Sequence, residues 1–313
     1  MSFRSEVNRL QGESLELRKV LSKWAGRDAD PTGTTYYVDA YDGINGNDGK
    51  SWERPFLTMA KAFTSVASGD TIYFRGKVLE QLTAPVQVHD VTVIGASNRS
   101  RHADSAPADP TGKSHGASWQ PPASPAATTP CVKVLQQGWT FANFLFDAPA
   151  DAAAVQLHSD DGSGNAERDA SHASFYNVKF ANGQSGIECT GGQSHVLVDD
   201  CEFNALTNGI KGMDTGVRIP SYWDIRDSRF VNNTNHVITS LSFSVIKGNT
   251  FAKHTTDGIQ AKYNSSQGEY NTVWGNYLSG TYSISGGYTP AANDEWAGNF
   301  NSLSGGITAA DPA

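Results

Sequence analysis

Two adjacent aspartates, Asp199 and Asp200, stand with Glu202 and Cys201 in the stretch VDDCEFNALTNGI, residues 198–210. Carboxyls this close suit sugar-cleaving chemistry, in which one acid is held protonated and a second ionised, roughly 5–9.5 Å apart. They suit tight turns equally well, because Asp and Asn side chains hydrogen-bond to nearby backbone. The elements around them decide between the two.

Other chemistry is weaker. The Asp/Asn/Gly cluster from Asp39 to Gly49 fails the calcium-loop template, since Ile44 stands where the third position counted from Asp42 needs a ligand. The TGKS of residues 111–114 would need glycine at 107 to make a phosphate loop, and Pro107 stands there. Cys131, Cys189 and Cys201 show no metal-ligand spacing and read as thiols of a reduced compartment. The eight histidines are scattered, and neither His195 nor His236 pairs with a nucleophile. No catalytic residue, metal or cofactor is expected, and enzymatic activity is disfavoured.

The chain of 313 residues carries a net charge of −8, 31 glycines and only 38% hydrophobic residues. A thin core with many turns follows, and neither nucleic acid nor an acidic membrane is an expected partner. The N-terminus lacks an apolar run for a secretion signal, and no segment has the ~18–20 apolar residues of a membrane span. Synthesis and retention in a cytoplasm, or release by lysis, is the expectation.

The positions that frame the acids repeat. Phe180, Phe203, Phe230, Phe251 and Leu278 are separated by 23, 27, 21 and 27 residues. Three residues before each lie Asn177, Asp200, Asp227, Gly248 and Gly275, all turn formers. Five before lie Phe175, Val198, Ile225, Ile246 and Val273, all apolar. Ile187, Ile210 and Val237 follow at seven, Ile259 at eight and Ile284 at six. Such a period, with short strands between turns, describes stacked solenoid coils with like residues ~4.8 Å apart. The segment from Trp139 to Phe146 reads as an earlier coil, ahead of the polar insertion SDDGSGNAERDA at 159–170.

In this frame Asp200 is a turn residue. Glu202 falls between Lys179 and Arg229, and Asp199 between Tyr176 and Arg226. Neighbouring cations lower carboxylate pKa values and work against a general acid, so the structural role leads. Among the aromatics, Tyr222, Trp223, Trp274 and Tyr277 suit sugar stacking, although Trp223 shares the column of Val196, where core packing is favoured.

At the N-terminus Phe3, Val7, Leu10, Ser14, Leu17, Leu21 and Trp24 are spaced alternately four and three, an a/d heptad seam with one polar slip. Residues 1–27 are expected to form a coiled-coil or anchoring helix, and 28–313 one solenoid domain. Within that domain a cap covers about 34–70, where Pro55 opens a helix through Phe56, Met59, Ala60 and Phe63. Strands are expected at 71–74 and 91–94. Residues 97–130, rich in Pro, Ala and Ser, are expected as a long surface loop, and about 285–313 as an irregular C-terminal cap.

The repeat, with YVDAYDGINGNDG, PFLTMAKAF and GDTIYF ahead of it, resembles the right-handed parallel β-helix proteins of the pectate-lyase-like superfamily, from about Tyr36 to Thr289. A helical N-terminus before such a solenoid is similar to phage virion proteins, tailspikes and head-surface proteins. The resemblance implies an all-β, single-stranded parallel β-helix with Phe180, Phe203, Phe230, Phe251, Val198, Ile225, Ile246 and Val273 in its core ladders. It implies a virion structural protein, a head decoration or spike, forming a homo-oligomer with a trimer favoured. Other virion proteins such as the major capsid protein would be its partners, and a surface glycan is a further candidate. The alternatives are a polysaccharide depolymerase, lyase or hydrolase, and a carbohydrate-binding adhesin.

Overall fold

The structure is a computed structural model that describes residues 33–96, 116–158, 169–212, 219–238, 241–252, 263–264, 270–279, 288–289 and 293–301. The N-terminal seam of Phe3, Val7, Leu10, Leu17, Leu21 and Trp24 lies outside the described residues, as do Ile259 and Ile284.

The chain winds through three sheets in turn, and among the described residues these hold ten, nine and eight strands. One coil runs through Leu197–Asp199 in the first sheet, Glu202–Asn204 in the second and Asn208–Lys211 in the third. The next repeats the path at Asp224–Arg226, Arg229–Val231 and Asn235–Ile238, and every strand pairs in parallel with its counterpart.

Register follows the repeat. Phe180, Phe203, Phe230, Phe251 and Leu278 are successive partners in the second sheet, as are Phe175, Val198, Ile225, Ile246 and Val273 in the first. The phenylalanine rings stack with centroids 4.6–4.9 Å apart from Phe180 to Phe251. The corner between these sheets requires a left-handed residue, at φ 50° for Asn177, 50° for Asp200, 48° for Asp227, 65° for Gly248 and 63° for Gly275. Only Gly, Asn and Asp adopt this readily, which is why the column contains nothing else.

Immediately after that corner the buried column changes character along the stack. Phe144, Val178 and Cys201 give way to Ser228, Asn249, Asn276 and Asn299. Each polar side chain accepts the backbone N–H of its predecessor in the coil before: Cys201 to Ser228, Ser228 to Asn249, Asn249 to Asn276 and Asn276 to Asn299, at 2.9–3.0 Å. The three asparagine amides also donate to the carbonyls of Ile225, Ile246 and Val273. An internal polar ladder of this kind is tolerated because every member is satisfied.

Several expectations shift. The cap helix spans only Met59–Phe63, capped by Thr58, because residues 56–58 are held extended: Phe56 N donates to Tyr37 O, and Leu57 N and Thr58 N donate to the Asn45 side chain. The strand expected at 91–94 runs Thr92–Gly95. Within 97–130, expected as loop, Ser118–Gln120 is a strand with Trp119 fully buried against Phe63 and Phe146. The end of the chain does carry a further coil: Glu295–Ala297 and Phe300–Asn301 pair onto Thr272–Trp274 and Tyr277–Ser279. Its Gly and Asn content suits it to the task, with Gly298 at φ 61° on the corner and Asn299 ending the ladder. The column after Val237 continues in register through Tyr263 and Tyr288.

Candidate functional site

The outward face of the first sheet gathers the acids. Tyr176, Asp199, Arg226, Lys247 and Trp274 form one column, and Ser174, Leu197, Asp224, Val245 and Thr272 the column beside it. Strand alternation turns these side chains out while Phe175, Val198 and Ile225 turn in. Arg226 is the centre: its Nη2 donates to Asp199 Oδ2 at 3.1 Å and its Nη1 to Asp224 Oδ2 at 3.0 Å. The arginine side chain is only 10% exposed, so the pairs are shielded from water.

Asp199 departs from the sequence expectation. Burial pushes its pKa above the usual carboxylate range, and the Arg226 guanidinium only partly offsets this. The neighbouring cation alone predicted the opposite direction. Burial also pushes the Tyr176 phenol up to about 12, helped by the Asp199 charge.

In the second sheet Glu202 lies between Lys179 and Arg229 in register, as the repeat requires, and meets Lys179 Nζ at 3.9 Å. Asp200 stands at the corner, away from the Asp199 face. The three acids of the opening stretch therefore lie in three different places, and Asp199 is linked instead to Asp224 of the next coil through Arg226. Among the described residues no group of three or more His, Cys, Asp and Glu gathers as metal ligands. Cys131, Cys189 and Cys201 are all buried.

The aromatics divide. Trp223 is buried, with its Nε1 donating to Gln193 O at 2.9 Å, while Tyr222, Trp274 and Tyr277 are exposed. Sequence reasoning passed over a row of rings to which Tyr222 belongs. His172, His195, Tyr222, Phe243 and Tyr270 follow one another at 23, 27, 21 and 27 residues, the intervals of the phenylalanine column. They stand two positions before the first-sheet strands, beside the acid face.

These sheets and registers match known architecture. A family model described as right handed beta helix region matches residues 151–295. The chain is a right-handed parallel β-helix. Among solved structures, this β-helix is similar to the GH136 lacto-N-biosidase from Eubacterium ramulus, with TM-score 0.55 and 11% identity over 86% of this chain. It spans 56% of that enzyme's length. A rhamnogalacturonan lyase aligns over 90% of both chains with TM-score 0.41 and 13% identity. ORF18 of Geobacillus virus E2 aligns over 85% of this chain and 60% of its own, with TM-score 0.44 and 13% identity. No curated protein sequence matches the β-helix. Among the described residues no helix is long and apolar enough to cross a membrane.

Proposed function

We propose that the β-helix is a non-enzymatic virion protein, a head decoration or spike that projects from a phage particle, is anchored by its N-terminal helix and assembles as a trimer. One observation carries the non-enzymatic part: Asp199 and Asp224 share a single guanidinium, at 3.1 and 3.0 Å. A glycosidase needs open space between its two carboxyls for the glycosidic bond or a water. Here Arg226 fills it. The anchor rests on the seam of Phe3, Val7, Leu10, Leu17, Leu21 and Trp24, a stripe costly to leave in water at ~1.5–3 kcal/mol per side chain. Deleting residues 1–27 should leave a folded β-helix that neither oligomerises in light scattering nor joins the particle. A truncated protein that unfolds would sink the anchor, and mass spectrometry finding the protein outside purified particles would sink the virion role.

The second reading is a polysaccharide depolymerase. The raised pKa of Asp199 favours it, since a carboxyl biased toward its protonated form suits a general acid. Incubation with bacterial surface glycans separates the two. Chain shortening that Asp199→Asn abolishes, with melting unchanged, would establish the enzyme and overturn the structural account.

A further inference from the structure

Five rings run along the solenoid at the corner that leads into the first sheet. The centroids of His172, His195, Tyr222, Phe243 and Tyr270 are 4.7, 5.0, 5.5 and 5.4 Å apart in succession, and neighbouring planes lie within 18° of parallel. Tyr222, Phe243 and Tyr270 are each 52% exposed even with stacked neighbours. Exposed aromatics on a soluble protein are usually scattered singly, whereas these form one continuous row.

The backbone adds a second, independent oddity. All five residues are left-handed, at φ 59°, 57°, 58°, 51° and 61°. For bulky side chains that conformation is an outlier, and strain of this kind clusters where a surface is used. The fold does not demand rings there, because Asn293 occupies the corresponding place in the next coil at φ 64°. Two unfavourable choices, strain and exposure of rings to water, therefore coincide at successive coils.

Beside the row lies the outward column of the first sheet, polar at three of its five positions. Two residues on from each ring come Ser174, Leu197, Asp224, Val245 and Thr272, and the Asp199–Arg226–Asp224 cluster is locked by its own hydrogen bonds. We propose that the row and this cluster form a binding ledge for an extended polysaccharide lying parallel to the solenoid axis. A sugar ring carries an apolar C–H face and a rim of hydroxyls, which match an aromatic row flanked by the partly exposed Asp224 carboxylate that Arg226 holds in place. A surface that repeats every ~4.8 Å fits a ligand that is itself a repeating polymer. Single-stranded nucleic acid also stacks on aromatic rows, but it needs a positive groove, and here two acids surround one arginine on a chain of net charge −8. The ledge is independent of the virion role and requires no cleavage.

Affinity electrophoresis of the full chain in gels containing bacterial capsular, exopolysaccharide and O-antigen glycans, plant β-glucans and polygalacturonate tests this. At least one should retard it, and its oligosaccharides should bind more tightly with length up to about one sugar per ring. Tyr222→Asn combined with Phe243→Asn keeps a residue the corner accepts and should weaken binding tenfold or more with melting unchanged. Tyr277→Ala, an exposed ring on the second sheet, should leave binding intact. The proposal is overturned if no glycan retards the chain, if a monosaccharide binds as tightly as the oligosaccharide, or if Tyr277→Ala weakens binding as much. It is equally overturned if the double variant changes the molar mass in light scattering and leaves glycan binding intact, because the row is then a contact between copies.

Discussion

Phe203 and Phe230 stack face to face across one coil spacing, with centroids 4.6 Å apart and planes 2° from parallel. They fill the space that Gly186 and Gly209 leave: a Cβ on Gly186 would lie 2.8 Å from the Phe203 ring and 2.7 Å from Gly209 O. Phe203→Ala should cost ~3–5 kcal/mol in urea unfolding, and Phe203→Leu far less. Gly186→Ala should cost ~1–3 kcal/mol by overpacking. Values near zero for both would mean that the ring column is not the core.

Asn276 is the middle rung of the buried ladder. Its Oδ1 accepts from the backbone and side chain of Asn249, and its Nδ2 donates to Ile246 O and Asn299 Oδ1. Asn276→Leu orphans the Asn249 N–H and the Ile246 carbonyl and should cost at least ~2 kcal/mol. Asn276→Asp keeps the acceptor but places a carboxylate against two acceptor oxygens. Its deficit should be larger at pH 7 than at pH 4, and equal deficits would contradict the ladder.

His236 is buried beside the stacked Phe230 and Phe251 rings. Burial pulls its pKa down to about 4, only partly opposed by a hydrogen bond to the Ala252 backbone. Above the ordinary value near 6.5 both folded and unfolded chains hold it neutral, and its contribution is fully present. Between about 6.5 and 4 only the unfolded chain binds the proton, so stability falls as pH drops, by up to about 3 kcal/mol. Urea midpoints from pH 7.5 to 4.5 should show this slope, and His236→Phe should flatten it. A slope unchanged in the variant would assign it to other groups.

All three thiols are buried, and burial pushes the Cys201 thiol up to about 12. A thiolate is the reactive form, so a thiol-specific disulfide reagent should find no site in the folded chain and three after denaturation. Fast reaction under native conditions would show that a coil opens locally.

The left-handed corner was legible because its requirement is chemical: Asn, Asp and Gly meet it at the least cost, and Asn177, Asp200, Asp227, Gly248 and Gly275 stand out at once. The row through Tyr222 kept the same intervals but mixes His, Tyr and Phe, so a search for one residue class passes over it. Trp119 was hidden for another reason. Its strand is three residues long in a Pro- and Ala-rich stretch, too short to show a period. The direction of the Asp199 shift depends on how much of the carboxyl is covered, which neighbours in sequence do not set.

The hydrogen bonds between coils all point along the stack. Each joint between two coils is held by three sheets side by side, while the joints themselves follow one another end to end. A pull from Thr35–Asp39 toward Phe300–Asn301 therefore loads every joint with the same force, and the column parts at the weakest. Compression or bending instead spreads over all three sheets and the stacked rings inside them. Mechanically this protein is a strut and a poor rope.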